Sequence, residues 1–186
     1  MGELNSKIQL PAIMKSWEDT GYAIEAALMA HHTINDLVWN LIVMALAAAI
    51  SEEFFFRAGM QTIVIKMTKN KHWGIWITAI IFSAIHMQFS GFFPRMFLGA
   101  FLGYLFVWSG SIWVNIFAHF MFNGIQILYS YLQDAKATTA VTDKMLSDKT
   151  DYLFAILSAV LVTLLVVVIY RLTNKKNAEV SSELLT

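Results

Sequence analysis

The chain contains no cysteine, which removes disulfides, thiolate nucleophiles and cysteine-type zinc sites together and leaves the redox compartment undetermined. Charge is scarce as well. Only 14% of the 186 residues are charged, whereas a soluble domain of this size carries about 25%. The 13 basic and 13 acidic residues cancel, so no global field argues for nucleic acid or an acidic partner. No signal peptide opens the chain, because Met1 to Leu10 includes Glu3 and Lys7 and has no apolar core before a small-residue cleavage site. Strand-like alternation is missing too. No HExxH occurs, and no serine stands with an evident base partner.

What fills the chain instead is apolar: 58% of it is hydrophobic and 14% aromatic. From Leu37 onward the apolar stretches approach the roughly 20 residues that cross a bilayer. They run from about Leu37 to Ile65, Trp73 to Met87, Phe93 to Trp108 with Pro94 in the first turn, Ser111 to Leu132, and Tyr152 to Tyr170. The expected fold is all-α, a polytopic transmembrane helix bundle of about five membrane helices. Residues 1–36 read as an interfacial or partly ordered lead-in, 37–171 as the transmembrane domain and 172–186 as a basic cytoplasmic tail. Lys66, Lys69 and Lys71 follow the first helix, and Arg171, Lys175 and Lys176 follow the last. Both groups go to the cytoplasm by the positive-inside rule, and the four crossings between them agree with that. A bacterial inner membrane with the C-terminus inside is the expected location. Gly99 and Gly103 form a small-xxx-small pair read as close helix packing. His31 and His32 read as solvated or interfacial, His72 as a loop residue, and Phe54 to Phe56 as lipid or core contact.

Ionisable groups in membrane helices cost at least about 2.5–3.5 kcal/mol each on insertion scales and therefore mark function. Three clusters stand out: Glu52-Glu53-Phe-Phe-Phe-Arg57, Phe82-Ser-Ala-Ile-His86 and His119-Phe-Met-Phe-Asn123. At the helical rise, Glu52 lies about 21 Å from the cytoplasmic end of its helix, His86 about 20 Å, Asn123 about 18 Å and His119 about 12 Å. Three separate helices thus bring polar groups to one slab of the membrane. Glu53 and Arg57 share a face and can form an ion pair, a supporting role. Glu52 points about 100° away and is free for chemistry. Hydrolysis of an amide needs an activated water, oxyanion donors and a proton for the leaving amine. Glu52 and His86 suit the first task, and His119 with Asn123 suit the second.

These motifs resemble the CPBP family of intramembrane proteases, whose members include CAAX-processing endopeptidases and bacteriocin-processing or immunity-associated enzymes. The family signature is EExxxR, FxxxH and HxxxN on separate membrane helices, and the resemblance covers roughly residues 40–130, including Phe92 to Tyr104 and Gly110-Ser-Ile-Trp113. Ala58 follows the motif arginine where the family often has glycine, and Gly59 comes next. Members usually carry further helices ahead of the first motif, so a short or truncated member is expected. The resemblance implies an intramembrane endopeptidase acting on a membrane-associated, prenylated or leader peptide, with Glu52, His86, His119 and Asn123 as its site. Two mechanisms stay open: direct activation of water, or zinc held by Glu52, His86 and His119, since catalytic zinc uses three protein ligands plus water. The lipid bilayer and a peptide or protein substrate are the expected partners; the oligomeric state is not specified. The alternative functions are a non-catalytic peptide-binding, immunity or scaffold protein, and a proton-coupled transporter, which the lack of inverted repeats disfavours.

Overall fold

A computed structural model describes residues 10–30 and 33–137, and every described element is helical. Helix α1 spans Ala12–Leu28, α2 the continuous run Ile34–Thr68, α3 Lys71–Ala84, α4 Phe92–Ser109 after a 3-10 turn at Phe89–Gly91, and α5 Ile112–Ala137. Three of these segments, Ile34–Thr68, Phe89–Ser109 and Ile112–Leu132, are long and apolar enough to cross a membrane. The expected helix at 152–170, the basic tail, His31 and His32 lie outside the described residues.

Local chemistry sets the helix ends. Thr33 and Asp36 form a reciprocal capping box at the start of α2, satisfying amides that would otherwise be orphaned. Lys69 takes a left-handed φ of 52° to end α2, and the Asn70 side chain then accepts from the His72 and Trp73 amides to begin α3. His72 is therefore in the first turn of a helix rather than a loop, with its Nδ1 2.8 Å from the Tyr104 hydroxyl. At the other tight turn Gly110 has φ 62°, a backbone state that glycine enters without a Cβ penalty.

Helix α2 is not uniform. Its segments Leu41–Ala47 and Phe54–Gln61 are π-helical and flank an α-helical turn, Ala48–Glu53. Ala45, Ala49, Glu53, Arg57 and Gln61 are all buried at 0–1% exposure, one every four residues. On a pure α-helix of 3.6 residues per turn such a row would wind away by about 40° per step. The wider π turns, which bond i to i+5, slow that winding and hold the row against the other helices.

Two of those helices come very close. The Arg57 Nη2 donates to the Gly99 carbonyl at 3.2 Å, and the Gln61 Nε2 to the Gly103 carbonyl at 3.0 Å. A Cβ on Gly99 would meet Phe82 at 3.1 Å, and one on Gly103 would meet Ile75 at 2.9 Å. The small-xxx-small pair is thus where α2, α3 and α4 converge, with Ile75, Ala79 and Ala100 packed beside it. Helix α5 closes the other side through Leu37, Ala45 and Ile127. Meanwhile Phe55, Phe117, Trp113 and Ile63 are 57–68% exposed. Apolar side chains outside and charged ones inside is the arrangement that lipid as solvent requires.

The second expected crossing is shorter than the apolar run suggests. Helix α3 has 14 residues and stops at Ala84, leaving His86 in the turn beyond it, where Met87 has a left-handed φ of 55°. Helix α5 in turn continues past Leu132 to Ala137.

Replacing Gly103 by Leu forces a side chain into the space of Ile75 and Gln61, and overpacking of this kind costs about 1–3 kcal/mol. The variant is expected to melt several degrees lower in detergent, followed by intrinsic fluorescence; an unchanged midpoint would contradict the packing described.

Candidate active site

Glu53 stands at the centre of the polar interior. It is completely buried, and three partners converge on its carboxylate. Arg57 Nε lies 3.1 Å from Oε2, Asn115 Nδ2 donates to Oε2 at 3.1 Å, and His119 Nδ1 is 2.8 Å from Oε1. An uncompensated carboxylate here would be prohibitively expensive. The arginine supplies the opposite charge, and the amide and imidazole fill the remaining lone pairs. Arg57 is itself steadied by its position over the Phe82 ring, 4.9 Å from the centroid, a favourable cation–π geometry.

Asn115 has a second task. Its Nδ2 also donates to the Leu102 carbonyl at 2.6 Å, tying α5 to α4 while holding Glu53. Asn115, His119 and Asn123 follow one another at four-residue intervals on α5, so they share a face. That spacing is the signal by which Asn115 could have been found from the sequence alone, where it was missed.

The two histidines are oriented by the same device. A carboxylate and a carbonyl only accept hydrogen bonds, so His119 donates from Nδ1 to Glu53 and His86 donates from Nδ1 to the Phe82 carbonyl at 2.7 Å. Each imidazole therefore presents Nε2 as its free nitrogen. The Nε2 of His119 lies 3.8 Å from Glu52 Oε2, a separation that one bridging water spans. Glu52 is the more open of the paired glutamates, with 27% side-chain exposure against 0% for Glu53.

Glu52, His86, His119 and Asn123 all line one cavity of about 870 Å³. Asn123, which lines the same space, donates from Nδ2 to the Met44 carbonyl at a long 3.5 Å. Phe82 and Leu98 supply apolar wall. Four polar groups expected to share a depth in the membrane thus line one cavity, and the approach of Glu52 is to His119. The Glu52, His86 and His119 set is not drawn into a zinc-like cage: no group of three or more His, Cys, Asp or Glu side chains is arranged to hold a metal ion among the described residues. As placed, these side chains do not fit a three-ligand zinc site.

Helix α1 contributes residues that were not singled out from the sequence. Gly21, Ile24, Glu25 and Leu28 line the cavity, and Glu18, buried to 7% exposure, binds the turn after α3. Its carboxylate accepts from the Ser90 amide at 2.9 Å and from the Ser90 hydroxyl. Burial opposes ionisation of Glu18, yet the Ser90 side chain and backbone, the Tyr22 hydroxyl and the nearby Arg95 charge together hold the carboxyl below its ordinary value of 4.5.

Two carboxylates, two oriented imidazoles and an amide thus gather at one cavity among apolar helices of membrane-spanning length. The chain belongs to the family described as type II CAAX prenyl endopeptidase Rce1-like, which matches residues 33–125. It is also similar to the uncharacterized protein YpbD of Bacillus subtilis (strain 168), with 27% identity over 104 residues, 52% of this chain and 50% of that protein. The chain spans about half the length of this curated relative. No solved structure matches it.

Two outcomes test this arrangement. Asn115→Ala leaves the Leu102 carbonyl and one Glu53 oxygen without a donor, and such losses cost about 1–3 kcal/mol. A lower melting midpoint is expected, and no change would remove Asn115 from the network. For Glu18 the sign follows from its lowered value. Its contribution to α1 docking is complete above the ordinary 4.5 and is lost as pH falls through the lower folded-state value. Protease resistance of α1 should therefore decline in acid for the natural chain, and Glu18→Gln should be more weakly protected at neutral pH with a flatter acid dependence.

Proposed function

We propose that this protein is an intramembrane endopeptidase that hydrolyses a peptide bond of a membrane-associated substrate by activating water directly. The observation that carries this reading is the 3.8 Å approach of Glu52 Oε2 to His119 Nε2 in a cavity shared with His86 and Asn123. The match to an endopeptidase family over residues 33–125 supports the reaction class.

Charge counting supports the division of labour. Within the cluster around Glu53, Glu52 and Glu53 carry two negative charges and Arg57 one positive charge, so one proton there brings these neighbours to neutrality, the least expensive state in a medium that solvates charge poorly. Placed on His119, which rests on the Glu53 carboxylate, that proton turns Nε2 into a hydrogen-bond donor and leaves Glu52 as an acceptor. Glu52 and the His86 Nε2 lone pair then hold a water, and Glu52 takes its proton as the oxygen attacks the substrate carbonyl. His119 Nε2–H and the Asn123 amide donate to the oxyanion that forms, the type of stabilisation that acts most strongly where water is excluded. As the tetrahedral intermediate collapses, the C–N bond breaks and Glu52 returns the proton to the leaving amine. A carboxylic acid and an amine are the products. Prenylated chain ends and leader peptides are the substrate classes that fit the family; the Lys66, Lys69 and Lys71 side of the α2–α3 turn would face the cytoplasm.

The test is cleavage of a peptide library by the purified protein, read by mass spectrometry beside Glu52→Gln. The natural chain should yield product, and the variant should be slower by about 10²–10⁴, the range for loss of a general base. Equal product from both would remove Glu52 as the base. Peptide retention without product from either would make the protein a peptide-binding one.

A further inference from the structure

We propose that Arg95 is the docking point for the terminal α-carboxylate of a peptide substrate. This deepens the endopeptidase reading and rests on it for the fate of the peptide, though not for its binding. Arg95 is half-buried in the first turn of α4 and lines the same cavity as Glu52, His86 and His119. The buried cation of α2, Arg57, is neutralised by Glu53 at 3.1 Å. Arg95 is not treated alike. Its Nη1 donates to the Gln88 carbonyl at 3.4 Å and its Nη2 to the Gln88 Oε1, both neutral acceptors. Glu18, Glu25 and Glu52 act on its charge from further off, and no ion pair within 4.0 Å joins it to a carboxylate among the described residues.

A guanidinium has five N–H donors in a fixed fork. The Gln88 contacts fix its plane and leave donors over for a planar anion, which arginine binds bidentately. Gln88 in turn donates to Glu25 of α1 at 3.4 Å, so a neutral side chain links Arg95 to the Glu25 carboxylate.

The rest of the wall decides which carboxylate. Leu28, Met44 and Leu98 line the cavity, and an apolar wall selects apolar side chains. A chain end brings a carboxylate whatever its side chains are, so an apolar peptide terminus satisfies the wall and the cation together. The cavity volume of about 870 Å³ falls within the roughly 300–1,000 Å³ of small-ligand sites, enough for a short segment. Repulsion from Glu52 keeps the terminal carboxylate away from the water-activating end and attraction to Arg95 draws it to the other, so a bond upstream of the terminus is the one presented to Glu52.

The experiment uses the full chain carrying Glu52→Gln in nanodiscs of neutral lipid, with dansyl-Ala-Val-Ile-Leu as the free acid or the C-terminal amide. The acid should bind about tenfold more tightly than the amide, a ratio worth 1.4 kcal/mol. Arg95→Gln in the same background should bring the ratio to one, and Arg95→Lys should restore part of it. Because the readout is a ratio within each variant, a general loss of folding does not mimic the effect. Equal binding of acid and amide, or saturable binding of neither, would overturn the proposal. So would suppression of the acid preference by added phosphatidylglycerol, which would assign the cation to a lipid phosphate. A clear acid preference without turnover by the natural chain would sink the endopeptidase reading while leaving the carboxylate subsite in place.

Discussion

The buried carboxylate of Glu53 is the constraint around which the polar interior is organised. A lone negative charge cannot persist at 0% exposure without partners, because its lost hydration has to be replaced group by group. Arg57, Asn115 and His119 supply that replacement from two helices. In doing so they also determine rotations: α2 cannot turn without pulling Glu53 from Asn115 and His119 and Arg57 from the Gly99 carbonyl, and α5 cannot turn without stranding Glu53. The same contacts dictate that His119 offers Nε2 to Glu52. Stability and proposed chemistry are therefore drawn from one set of bonds, and a variant that loosens the anchor alters both.

Backbone geometry serves this arrangement. Only a helix that alternates α and π turns keeps Ala45, Ala49, Glu53, Arg57 and Gln61 in one buried row. The row meets Gly99 and Gly103, whose carbonyls receive Arg57 and Gln61. Two glycines on α4 thus do for charged and amide side chains what they usually do for apolar ones. They let a partner reach the main chain, where lipid offers no competing donor. Helix α1 completes the enclosure from the other side through Glu18 and Ser90, so one wall of the cavity depends on a polar contact rather than on apolar packing.

Much of this was legible in the order of residues. Apolar runs of bilayer length, interrupted by the clusters of Glu52, Glu53 and Arg57, of His86, and of His119 and Asn123, announce lipid-embedded helices with something to do. The four-residue interval of Glu53 and Arg57 foretells their ion pair, and the depth argument groups Glu52, His86, His119 and Asn123, which line one cavity, because rise per residue is a property of any helix. Other features were not legible. Asn115 looks like one more polar residue in a helix, His72 like a loop residue beside lysines, and Glu18 like part of the lead-in, until their partners arrive from 32 to 72 positions away.

What the sequence by itself determined was the solvent, the helices and the set of polar groups that must meet, since these follow from hydropathy, helical period and the expense of burying charge. Tertiary structure alone decided which group touches which: that Asn115 and His119 close on Glu53, that the His119 Nε2 faces Glu52, and that Arg95 meets Gln88 rather than a carboxylate among the described residues. The physical reason is that these outcomes depend on helix rotation, on π turns that shift the register of α2, and on contacts between distant segments, none of which a local pattern of residues contains.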